Sequence, residues 1–97
     1  MAKGYWIATY GSVSNPEALA RYGQRAPQVI AAHGGRILAR GVPARTYEGA
    51  LAQRCVLIEF DSVAAAAAAY ESAEYLEVKA ILDGAVEREL RIMEGIE

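Results

Sequence analysis

The sequence holds a single cysteine, Cys55, and a single histidine, His33. No internal disulfide can form, which fits a reducing compartment, and a structural zinc site lacks its ligands. Long apolar runs are missing too: nothing approaches the roughly 18–20 residues that span a bilayer. The start, Met1-Ala2-Lys3-Gly4-Tyr5-Trp6-Ile7, moves straight into a strand-like pattern, without the apolar stretch and cleavage site of a signal peptide. Excess positive charge is also missing. The net charge is −2 with both signs scattered, which is not the electrostatic footprint of a nucleic-acid or anionic-membrane binder. Glycine-rich phosphate loops and clusters of metal ligands are absent, against nucleotide-binding and metalloenzyme classes. The expectation is a cytoplasmic protein with no metal, no cofactor, and neither nucleic acid nor membrane as partner.

What is present is globular: 54% hydrophobic and 23% charged residues in a chain of 97, one domain spanning residues 1–97. A domain this small buries only about 60–65% of its unfolded surface, so its core is thin and self-association would thicken it.

The pattern along the chain predicts the order βαββαβ. Tyr5, Trp6, Ile7, Thr9 and Tyr10 mark a first strand over 4–11, apolar on both sides. Asn15-Pro16-Glu17 starts a helix, with a capping side chain, proline at the first position and an acid against the dipole. Leu19, Tyr22, Ala26, Val29 and Ile30 then recur at helical spacing; Pro27 should kink or shorten the helix, and Gly34-Gly35 ends it. A second strand follows over 36–42 and a loop over 43–53. The third strand, over 54–60, alternates Val56, Ile58 and Phe60 with Cys55, Leu57 and Glu59. Ser62 caps a helix through Tyr70 that contains the alanine run Ala64 to Ala69, and Ser72 starts a second segment that Gly84 stops. The last strand covers 85–93.

Right-handed crossovers turn that order into an α+β fold: a four-stranded antiparallel sheet with the helices on one face. Val56, Ile58, Phe60, Leu90 and Ile92 are expected to face the helices. The other face carries Leu38, Leu57 and Met93, with the charges Arg36, Arg40, Glu59, Glu89 and Arg91. An apolar face with no third layer to cover it predicts pairing with a second copy, and its charges predict a cavity between the two sheets.

Gly4-Tyr5-Trp6-Ile7-Ala8, Gly34-Gly35-Arg36, Leu38-Ala39-Arg40-Gly41, Glu48-Gly49, Arg54, Ile58-Glu59-Phe60-Asp61-Ser62, Tyr70-Glu71-Ser72, Glu74-Tyr75 and Glu94-Gly95 follow one another in an order that resembles the small bacterial family known as domain of unknown function 1330 (DUF1330). The resemblance covers nearly the whole chain. It implies membership of the dimeric α/β-barrel superfamily, hence a ferredoxin-like fold and a homodimer whose two sheets form a barrel. Relatives there include cofactor-free monooxygenases, lactone isomerases and a haem-binding branch. The sequence departs from the family at Leu82-Asp83, where an arginine is often found, and at Ala73, where proline is common.

Arg40 and Glu59 lie on consecutive strands and on the face expected to become the barrel interior. They form either a structural ion pair or a site in which the arginine orients a ligand beside a carboxylate of raised pKa acting as base. Glu48 and Arg54 flank the loop between the second and third strands, as lid residues over a ligand, as a salt bridge tying the loop, or as an interface contact with the partner subunit. Tyr70, Ser72 and Tyr75 cluster at the helix break; Ser72 reads as a cap and the tyrosines as apolar bodies with a hydroxyl at the rim, with ligand contact as the other role. His33 suits the last turn of a helix, and Cys55 and Trp6 read as packing residues.

Two functions are open: a cofactor-independent enzyme with a small molecule in the barrel cavity, monooxygenase- or isomerase-like, or a non-catalytic ligand-sensing or assembly dimer. An RNA-recognition role, suggested by the same element order, fails because the third strand has no basic and stacking aromatic pattern.

Overall fold

The structure, a computed structural model, describes residues 2–96. Four strands, β1 (Gly4–Val13), β2 (Arg36–Gly41), β3 (Cys55–Phe60) and β4 (Val86–Glu94), form one antiparallel sheet in the order β2-β3-β1-β4. Helices α1 (Pro16–Ala32), α2 (Val63–Glu71) and α3 (Ala73–Lys79), with a 3-10 turn at Ala80–Leu82, lie on one face. The ferredoxin-like α+β expectation holds. The sheet is open, however, and does not close into a barrel by itself.

Each helix begins at a side-chain cap. Asn15 accepts from Ala18 N–H at 3.2 Å, Ser62 from Ala65 at 3.0 Å and Ser72 from Tyr75 at 3.2 Å. Pro27 does not shorten α1, which runs unbroken to Ala32. Proline can deny a bond only to the carbonyl of Gly23, and the buried row Ala18, Tyr22, Ala26 and Ile30 holds the helix on the sheet to either side. Gly34 has a positive φ of 84°, and a Cβ on Gly35 would run into Ile30 and Phe60, so this glycine pair both ends α1 and lets β2 turn tightly under it.

Trp6, Phe60, Tyr75 and Val78 are the fully buried large residues. The alanine run earns its place here. Ala66 and Ala69 are buried, and α2 lies so close to β1 that the Trp6 indole donates to the Ala66 carbonyl at 2.8 Å. Ile58 and Phe60 are 3% and 0% exposed, which fixes the helix-facing side of β3 as expected. On the opposite face Leu38 and Met93 are about half exposed, so nothing within the chain covers it. No helix among the described residues is long and apolar enough to cross a membrane.

Candidate functional site

The expected pairing of Arg40 with Glu59 is not formed. Glu59 stands opposite Arg36 on β2 and Tyr5 on β1. Arg36 Nε donates to Glu59 Oε1 at 3.0 Å, Arg36 Nη2 to Asp61 Oδ1 at 3.1 Å, and the Tyr5 hydroxyl to Glu59 Oε2 at 3.1 Å. The hydrogen bond from Arg36 holds the Glu59 carboxyl below its ordinary range; burial opposes this and Tyr5 assists it. The raised pKa expected of a base at Glu59 is therefore also corrected. The physical reason for Arg40 is a bulge: the register of β2 against β3 shifts between Ile37 and Ala39. Leu38 is the extra residue, and Arg40 moves into the row of Val56, whose side chain packs on the helix-side core.

On that helix side Arg40, exposed at the rim, lines a cavity together with two further arginines. The cavity of about 30 Å³ between α1 and the sheet is lined by Arg40, Arg54 and Arg88 together with Trp6, Tyr10, Tyr22, Ile30, Ile58 and others. Arg88 comes from the inward row of β4, between Val86 and Leu90. Its guanidinium donates to the Tyr22 hydroxyl at 3.3 Å and to the Tyr75 hydroxyl at 3.2 Å, and these two hydroxyls are 2.6 Å apart. The Arg88 guanidinium carbon lies 5.8 Å from the ring centre of Tyr10 and 5.6 Å from that of Tyr22; that of Arg54 lies 6.0 Å from Tyr10. Burial pushes the Tyr75 phenol far above its ordinary value, aided by Tyr22, so it stays protonated. Burial works against the charge of Arg88, but the phenol oxygens of Tyr75 and Tyr22 outweigh it and keep the guanidinium protonated.

Among the described residues no carboxylate comes within ion-pair distance of Arg40, Arg54 or Arg88. Arg54 is anchored by its main chain, whose carbonyl accepts from Tyr10 N–H at 3.0 Å, while its buried Nε has no hydrogen-bond partner. A cavity walled by aromatic and aliphatic groups, with cations at its edge and no anion to neutralise them, is arranged to attract a negative group.

The remaining expected site residues separate. Glu48 sits exposed at the loop tip with φ 56°, followed by Gly49 with φ 80°, and the Ala50 N–H to Tyr47 carbonyl bond of 3.1 Å closes that turn. It makes no salt bridge with Arg54. Ser72 caps α3 and donates to the Ala69 carbonyl at 2.8 Å. Tyr70 packs edge-on to Trp6, ring centres 5.7 Å apart. Tyr75 is buried, and its hydroxyl joins the arginine site. His33 lies 3.5 Å from Glu74. Arg88, Tyr10 and Tyr22 escaped the sequence reading. The signal was there for Arg88: a period of two from Val86 to Leu90 and Ile92 puts this charge in an apolar row.

The family model described as Domain of unknown function (DUF1330) matches residues 3–96. The chain belongs to this family. No curated protein matches it. Among solved structures, this DUF1330 chain is similar to RPA0582, a protein of unknown function from Rhodopseudomonas palustris, with a TM-score of 0.75 at 17% identity over 99% of this chain and 84% of that one. It is also similar to a dimeric ferredoxin-like protein of unknown function from Thermobifida fusca YX, with a TM-score of 0.67 at 14% identity over 95% and 90% of the two chains. A third is SnoaB, a cofactor-independent oxygenase from Streptomyces nogalater, with a TM-score of 0.69 at 12% identity over 100% and 96%. Likeness at such identities establishes the shared ferredoxin-like fold.

Proposed function

We propose that this DUF1330 protein is a homodimer that binds a small negatively charged molecule between α1 and the sheet. The observation that carries the reading is the convergence of Arg40, Arg54 and Arg88 on one cavity without a carboxylate to balance them. Arg40 is exposed at the rim, while Arg54 and Arg88 are half-buried; a guanidinium partly withdrawn from water without a carboxylate partner is under-solvated, and a ligand that supplies the missing anion recovers part of that cost. The dimer is supported by the uncovered face bearing Ile7, Leu38, Leu57 and Met93, and by the dimeric relative from Thermobifida fusca.

Two modes of action differ in one feature. The likeness to SnoaB supports a cofactor-independent reaction, in which Arg88 and the tyrosine hydroxyls would stabilise negative charge as it develops on an oxygen of the substrate. The cavity lining supports ligand sensing instead: it contains no aspartate, glutamate or histidine to take up a proton. Native mass spectrometry of freshly purified protein, followed by a melting-temperature screen of small anions, tests the common reading. An unliganded dimer whose melting temperature no anion raises would refute it. Turnover of a hit under air, followed by mass spectrometry, separates the two modes.

A further inference from the structure

We infer that the arginine cavity and the groove outside it form one site for an amphipathic monocarboxylic acid, head inward on Arg54 and Arg88 and tail beneath the 42–54 loop. This rests on the small-molecule reading above and names its ligand class.

The head is defined by size and by donors. About 30 Å³ of space for water-sized groups accommodates roughly two such groups, since one needs about 10–15 Å³, and this suits the two oxygens of a carboxylate. The buried Nε–H of Arg54 is an unused donor, and Arg54 and Arg88 both stand by the ring of Tyr10. Arg88 already spends two donors on Tyr22 and Tyr75, so it is held in place and adds charge, while Arg54 has its donor free for a new bond.

The tail is defined by the neighbouring groove. Tyr10 and Arg88 are shared between the cavity and an outer groove of about 800 Å³, whose far wall is the loop with Tyr47 and Leu51 and whose near wall carries Cys55, Glu87 and Glu89 on the uncovered side of the sheet. The two acids repel a second negative charge there and leave the arginine end as the place for the carboxylate. Tyr47 and Leu51 are 71% and 67% exposed, apolar surface left open in a loop. A ligand with its charge at one end and an apolar body at the other satisfies both parts; a small dianion would leave the groove uncovered.

Titration calorimetry of the dimer with octanoate and 3-phenylpropanoate, against octanamide and 3-phenylpropanamide of the same shape and against inorganic phosphate, tests this. The acids are expected to bind at least tenfold more tightly than their amides. Arg54→Met should lose that preference while the unliganded protein melts no lower, because an unpaired buried donor has been removed; Arg54→Lys should restore part of the preference. Leu51→Ser, at an exposed position, should weaken octanoate severalfold and leave the melting temperature unchanged. Amides binding as well as acids would overturn the carboxylate assignment but leave a small-molecule site standing. Tighter binding of phosphate than of either acid would overturn it in favour of a compact anion. No binding by any probe, with Arg54→Met melting lower than wild type, would make Arg54 a structural residue and overturn both this inference and the reading it rests on.

Discussion

The hydroxyls of Tyr22 on α1 and Tyr75 on α3 lie 2.6 Å apart, and Arg88 from β4 donates to both. Three elements are thereby fastened at one point beneath the helices. Replacing either tyrosine by phenylalanine leaves Arg88 short of an acceptor in a half-buried place. Tyr75→Phe is expected to cost about 1–3 kcal/mol in urea unfolding, and Tyr22→Phe somewhat less because Tyr22 is the less buried of the two.

The same phenol makes the fold sensitive to alkali. The folded-state pKa of Tyr75 is raised above its unfolded value, so its stabilisation is complete below the ordinary phenol value near 10 and is lost as pH rises beyond it. Unfolding should become easier above about pH 10, and Tyr75→Phe should flatten that limb. Absorbance of tyrosinate should show one phenol that ionises only as the chain unfolds.

On the open face the sign is reversed. Hydrogen bonds from Arg36 lower the carboxyls of Glu59 and Asp61, so their contribution is present above the ordinary carboxylate range and disappears as pH falls through the depressed values. Thermal melts from pH 7 downwards should show stability falling below about pH 4. Glu59→Gln should shrink that fall, and an unchanged slope would mean that the Arg36 network contributes nothing to the fold.

Ile58→Ala and Phe60→Ala should each cost about 2–5 kcal/mol, because both side chains are enclosed under the helices and leave cavities. Losses under about half a kcal/mol would contradict the packing described.

Leu57→Glu and Met93→Glu place charges on the uncovered face and should turn a dimer into a monomer by sedimentation at micromolar concentration. A wild-type monomer under those conditions would remove the homodimer from the proposal.

Local signals were sufficient for the element order because each depends on neighbours in sequence: Asn15, Ser62 and Ser72 cap the helices they precede, and Val56, Ile58 and Phe60 alternate with a strict period. The face of Arg40 depends on how β2 registers against β3, and a one-residue bulge there is invisible in β2 taken alone. The site joins α1, α3 and residues from all four strands, so no window of sequence contains it. Arg88 was legible as a charge in an apolar row, but its partners, 66 and 13 residues away, were not.

The unpaired Leu38 lets a single edge strand serve two chemistries. Arg36 answers to the acids Glu59 and Asp61 on one side of the sheet, and Arg40, four residues on, to the cavity on the other. In an unbulged strand the two would share a side. Straightening β2 with Leu38 kept would carry one positive charge through the sheet without changing any residue's identity, to a place opposite Cys55 on the surface offered to a second copy; deleting Leu38 would instead leave Arg40 opposite Val56, on the ligand side, with no bulge at all.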